Sequence, residues 1–157
     1  FGGAMGVFCG GLLADRLAGN DKRWYVWLPA LAGLISIPFT IAVYLVEGPY
    51  TALLCMIIPA IMSNVYLGNA IATSHNLVGL RMRAMSSAIL FFILNIIGLG
   101  AGPWTIGVVS DYLSASEGAE SLRYAMLYVL PVIMFWSASH FYLASKSLRQ
   151  DLAAAPD

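Results

Sequence analysis

Charge is scarce in this 157-residue chain. Lys and Arg number eight, Asp and Glu eight, together 10% of the residues, where a soluble domain carries about 25%. With 60% hydrophobic residues and a mean hydropathy of +0.80, a water-soluble globular domain is excluded. The formal net charge is zero, so no basic face can accumulate to hold a phosphate backbone, and nucleic acid is excluded as a partner. Only Cys9 and Cys55 could form a disulfide, and both lie in apolar runs, as buried small side chains do. The sequence has no G-x-S-x-G, and neither His75 nor His140 has a serine partner fixed by spacing, so intramembrane hydrolysis lacks its nucleophile and base. No metal site and no cofactor are expected.

What is present is apolar sequence punctuated by charge. A charged side chain costs about 2.5–3.5 kcal/mol at the centre of a membrane helix, so charges mark where the chain leaves lipid. They divide residues 1–145 into a partial helix, 1–14, and four spans, 25–46, 50–73, 85–109 and 122–145, followed by a polar tail, 146–157. Each span exceeds the roughly 20 residues needed to cross a bilayer. The first segment falls short of that and has no initiator Met, so the chain reads as beginning inside a helix. The expected class is all-α, a polytopic transmembrane helix bundle.

Orientation follows from the distribution of cations. Arg16, Lys22, Arg23, Arg81, Arg83, Lys146 and Arg149 fall on one set of connections, and Arg123 alone on the other. Loops 15–24 and 74–84 and the tail therefore face the cytoplasm. The turn at Glu47, Gly48 and Pro49 and the loop holding Asp111, Glu117 and Glu120 face outward.

Small residues recur at helical spacing. Gly2, Gly6 and Gly10 form one stripe, and Ala60, Asn64, Gly68 and Ala72 a second; such stripes let backbones approach closely. A third cluster, Gly98, Gly100 and Gly102, precedes Pro103. Pro103 removes the amide that would bond the carbonyl of Leu99, so a bend or soft point is expected around Gly98, Gly102 and Pro103.

Polar side chains at membrane depth point to a substrate path. Ser63, Asn64, Tyr66 and Asn69 cluster in the third span, with Asn69, Thr73 and Asn76 on one face leading toward the cytoplasm. Asn95 falls near the middle of the fourth span, with Trp104 and Thr105 beyond it. An amide in hydrocarbon needs another helix, water or a ligand. The candidate cavity residues are Asn64, Tyr66, Asn69, Asn95 and Trp104, against the alternative that the asparagines only cross-link helices. No Asp, Glu, Lys or Arg lies in the middle of a complete span, so no proton-coupling carboxylate is visible. His75 and His140 sit near cytoplasmic ends.

Gly11, Leu13, Ala14, Asp15 and Arg16, followed by Lys22 and Arg23, resemble the cytoplasmic loop signature of the major facilitator superfamily, G-x-L-A-D-R and a basic cluster. Ala18 stands where a glycine is usual, and Asn20 and Asp21 displace the basic pair. The run from Arg83 to Pro103, with Gly107, Ser110 and Asp111 after it, resembles the eleventh helix of spinster-like members. The resemblance implies the C-terminal part of a twelve-helix major facilitator fold, from the end of helix eight through helix twelve. It also implies a missing N-terminal half as partner, residence in a plasma or bacterial inner membrane, and a secondary transporter working by alternating access on a small organic or amphipathic, lipid-like solute. Gly11, Asp15, Arg16, Lys22 and Arg23 become cytoplasmic gate candidates, with the Asp15 carboxylate expected against the positive N-terminus of the 85–109 span. The competing reading is a non-transporting membrane scaffold or assembly subunit, which accounts for the glycine stripes but not for the loop signature.

Overall fold

A computed structural model describes residues 2–156, and they are helical almost throughout. The order is α1 (Gly2–Ala18), α2 (Trp24–Leu45), α3 (Pro49–Met62), α4 (Val65–Asn76), α5 (Arg83–Ile93), a π-helical stretch (Leu94–Ala101), α6 (Gly102–Glu117) and α7 (Ser121–Ala154). Single 3₁₀ turns lie at Leu80–Met82 and Gly118–Glu120. Lipid offers the backbone no hydrogen-bond partners, which is why an apolar chain of this kind resolves into helices. Among the described residues, three helical stretches are long and apolar enough to cross a membrane: Trp24–Leu45, Pro49–Asn76 and Leu80–Ala154. The last of these folds back on itself at Gly118, whose φ of +54° is open to glycine but strained for other residues. Beside that turn, Ser110 and Ser121 hydroxyls lie 3.2 Å apart.

The helices outrun the charge-marked boundaries. α1 continues to Ala18, α6 to Glu117, and α7 to Ala154 through most of the polar tail. Charges mark the edge of the hydrocarbon, whereas a helical ladder closes its own hydrogen bonds and continues into water. The 34 residues of α7 rise about 51 Å, well beyond a hydrocarbon core of about 30 Å.

α2 is the centre of the bundle, packing against α7, α3, α4 and α1. Its buried positions are mostly small, including Ala30, Ala32, Ser36 and Thr40, and Ala138 is buried on α7. A Cβ on Gly33 would meet the Ala138 methyl at 3.8 Å. Arg123 Nε donates to the Tyr44 carbonyl at 2.6 Å, fastening the end of α2 to the start of α7.

The two small-residue stripes pack on each other. A Cβ on Gly2 would lie 3.5 Å from that of Ala60, one on Gly6 only 2.1 Å from the Ile61 carbonyl oxygen, and one on Gly10 2.9 Å from Val65 Cγ1. Gly68 in turn faces Val7. The expected third span is divided at Ser63 and Asn64 into α3 and α4. There the Ile61 carbonyl takes an i→i+3 bond from the Asn64 amide at 3.2 Å. The tightened turn lets this carbonyl tip toward Gly6, so the break in one helix and the missing side chain in the other are a matched pair.

Candidate substrate path and cytoplasmic gate

The loop between α1 and α2 is organised by Asp21. Its carboxylate accepts the Arg23 backbone amide at 3.0 Å and the Arg23 Nε at 3.2 Å. It also accepts both arms of Arg149, Nε at 3.2 Å and NH2 at 2.7 Å, from the far end of α7. The Asp21 side chain is only 17% exposed. The Arg23 amide, and after it the Arg149 guanidinium, hold its carboxyl below the usual carboxylate range. Arg23 also lies over the Trp27 ring, 4.9 Å from its centroid.

Asp15 has a different neighbour from the one expected. It is exposed and accepts the Tyr25 hydroxyl at 2.9 Å. The start of α5 lies against α4, where His75 Nε2 and Ser87 Oγ are 2.6 Å apart and Ser86 Oγ donates to the Ser74 carbonyl at 3.5 Å. α1 packs on α3, α4 and α2, so α4 holds the start of α5 while the α1–α2 turn brings Tyr25 to Asp15. Gly11, Arg16 and Lys22 complete the expected motif; a Cβ on Gly11 would meet nothing within 4 Å, and Arg16 and Lys22 are exposed.

The polar residues of the third span separate into two groups. Asn69 is 1% exposed, and its amide donates to the Val65 carbonyl at 3.2 Å. It reaches no open surface, so packing replaces the expected cavity role. Asn64 donates to the Ala60 carbonyl at 3.0 Å and stands against Gly3 and Gly6 in the α1 seam. Thr73 Oγ1, one turn beyond Asn69, is buried with no partner among the described residues. Tyr66 turns the other way, lining a cavity of about 180 Å³ between α2, α4 and α7 with Ser36, Ser63 and Ser137.

Residues 94–104 are largely exposed. Asn95 is exposed, with its amide on the Phe91 carbonyl at 2.7 Å, and Trp104 is 70% exposed. A Cβ on Gly98 would meet nothing within 4 Å; on Gly100 or Gly102 it would reach only a carbonyl of the same helical run, that of Asn95 or Ile97. The expected soft point is a π-helix, closed by an i→i+5 bond from the Gly102 amide to the Ile97 carbonyl. Two features favour the wider turn: Asn95 occupies the Phe91 carbonyl with its side chain, and Pro103 has no amide for Leu99. π-Helical turns recur at functional sites.

Asp21, Tyr25 and the π register were not among the sequence-based candidates. The only signal for Asp21 was an acid beside a basic pair. Tyr25, ten residues from Asp15, gave none.

No family model matches the chain. Over 150 residues, 96% of its length, it is 31% identical to an MFS-type efflux pump of Mycolicibacterium smegmatis, covering 35% of that protein. Its structure resembles that of a bacterial homologue of the human lysosomal transporter Spinster in an inward-facing, unoccupied conformation, with a TM-score of 0.84 and 26% identity over 96% of this chain and 38% of that one. The inward-facing, occupied conformation gives 0.80 and 27%, over 96% and 40%. The chain thus spans little more than a third of the length of the relatives it matches. The loop motif, the all-helical membrane bundle and these likenesses agree: the chain is a multi-pass membrane protein, homologous over nearly its whole length to part of a major facilitator superfamily (MFS) efflux pump.

Proposed function

We propose that this chain supplies helices eight to twelve of a secondary transporter, in a plasma or bacterial inner membrane, that moves a small organic or amphipathic solute by alternating access. The observation that carries the reading is the largely exposed stretch of residues 94–107, where Asn95, open glycines and Trp104 stand together on a helix that packs on α4 through α5 and on α7 through α6. A polar amide exposed at membrane depth needs a partner, and a solute or the other half of the transporter supplies it. The efflux-pump relative and the likeness to a homologue of a lysosomal transporter support the transport reading.

Asn95 and Trp104 contact the solute in this reading, with Tyr66 at the edge of the path, while Asn64 and Asn69 hold the wall in place. Gly98, Gly102 and Pro103 give the wall its flexible register. Asp15, with Gly11, Arg16, Lys22 and Arg23, forms one side of the cytoplasmic gate. Its bond to Tyr25 belongs to the inward-facing arrangement, and on closure Asp15 exchanges Tyr25 for a partner outside this chain.

The test is uptake into proteoliposomes by the full-length protein, with lysophospholipids, sphingoid bases and small organic anions, with and without a proton gradient. Saturable uptake lost on Asn95→Ala supports the reading and names the cargo class. Absence of flux for every class, from folded and inserted protein, shifts the reading to a scaffold.

A further inference from the structure

The seam between α2 and α7 opens into an apolar groove of about 520 Å³, lined by Trp24, Trp27, Leu31, Phe135, Tyr142 and Leu143 among others. It begins at the N-terminal end of α2, the end that the cation distribution assigns to the cytoplasm, and follows that helix from Trp24 to Leu34, about 15 Å at the rise of a helix. That is half of a hydrocarbon core of about 30 Å, the depth of one leaflet.

The mouth of the groove is cationic on both walls. Arg23 lies over the Trp27 ring at 4.9 Å, and Lys146 over the Tyr142 ring with Nζ 5.7 Å from the centroid. Both rings are groove walls. Arg149 joins this cluster through Asp21, and Lys22 adjoins it in sequence. Asp21 is the one carboxylate paired with these cations among the described residues, so positive charge remains in excess, and Lys146 has no acidic partner there.

We infer that this groove binds an anionic glycerophospholipid of the cytoplasmic leaflet, with an acyl chain between α2 and α7 and the headgroup phosphate between Arg23 and Lys146. A slot one leaflet deep, bordered by Trp and Tyr at the interface and closed by cations, suits that molecule at both ends. A packed protein helix would satisfy the apolar walls but leave Lys146 without counter-charge and Arg23 with only the Asp21 carboxylate that it shares with Arg149. The site lies on the α2–α7 face, apart from the 94–107 wall, and it stands whether or not the transport reading does.

Two measurements on the full-length protein test the site. In native mass spectrometry with equal phosphatidylglycerol and phosphatidylcholine, phosphatidylglycerol should be retained in preference by roughly fivefold, the order expected of one cation near an anionic headgroup. Lys146→Gln should remove that preference and Lys146→Arg keep it, while Leu31→Trp should reduce retention of both lipids. Equal retention of the two lipids by the unaltered protein, or a preference unmoved by Lys146→Gln, overturns the proposal. Independently, p-benzoylphenylalanine in place of Leu143 should photolabel phospholipid in native membranes. A crosslink instead to another helix of the same polypeptide, or to a second copy, shows that protein covers the groove and overturns it with both cations intact.

Discussion

The seam of α1 against α3 and α4 and the helix from Arg83 to Glu117 use glycine in opposite ways. Gly6 and Gly10 are enclosed, and a side chain on either would run into the neighbouring helix. Gly98 and Gly107 face open space. Both runs show glycines a helical turn or so apart, yet one closes a contact and the other leaves a surface uncovered. The seam has a single well-packed arrangement, as close-packed interiors do. Residues 94–101 have a widened register and are largely exposed, so fewer neighbours hold their register in place.

The sharpest way to break this contrast is to add one methyl to each region. Gly6→Ala places a Cβ 2.1 Å from a backbone oxygen, which no rotamer change relieves, so one helix must move. The expected loss is about 1–3 kcal/mol, read as a lowered unfolding midpoint of the full-length protein in detergent. An unchanged midpoint would mean that the seam is looser than its geometry. Gly10→Ala meets Val65 Cγ1 first, at 2.9 Å, and should cost less because part of that contact is side chain.

Asn95→Ala makes the complementary change on the open wall. It removes an exposed amide, so stability should move by no more than about 0.5 kcal/mol. Uptake by the full-length protein should nevertheless fall about tenfold, the equivalent of roughly 1.4 kcal/mol. Equal losses of stability and uptake would make Asn95 a packing residue like Asn69. Gly98→Ala should raise helix stability by about 0.5–1 kcal/mol, since nothing obstructs the new methyl. If the π register changes during transport, the same variant slows uptake without weakening substrate affinity; faster or unchanged uptake would make the register static.

These contrasts indicate what was legible in the sequence. The helical, membrane-length character of the chain could be read because a charge in lipid is costly, and the Gly2, Gly6, Gly10 stripe because its spacing matches the helical repeat. The same logic could not tell Asn69 from Asn95. Both are lone amides in apolar runs, and only the tertiary arrangement buries one and exposes the other. The π stretch was legible as a weak point from Gly98 to Pro103 but not as a register, which depends on Asn95 taking the Phe91 carbonyl. Asp15 and the basic pair drew attention to the loop, while Asp21, its actual hub, was hidden because its partner Arg149 lies at the other end of the chain.

That hub gives the smallest expected effect and joins the two regions through the α7 extension. Asp21 and Arg149 form a two-armed pair between the α1–α2 loop and the end of α7, and exposed pairs of this kind contribute little. A double-mutant cycle of Asp21→Asn and Arg149→Gln, read by unfolding of the full-length protein, should return a small coupling that shrinks further at high salt. The carboxyl is held below its ordinary value in the folded state, so its contribution is complete above the unfolded carboxylate value of about 3.9. It is lost as pH falls from there through the depressed folded value. The cycle should therefore show coupling at neutral pH that disappears only in strong acid. Coupling that vanished well above the carboxylate range would show that the Asp21 carboxylate does not carry it.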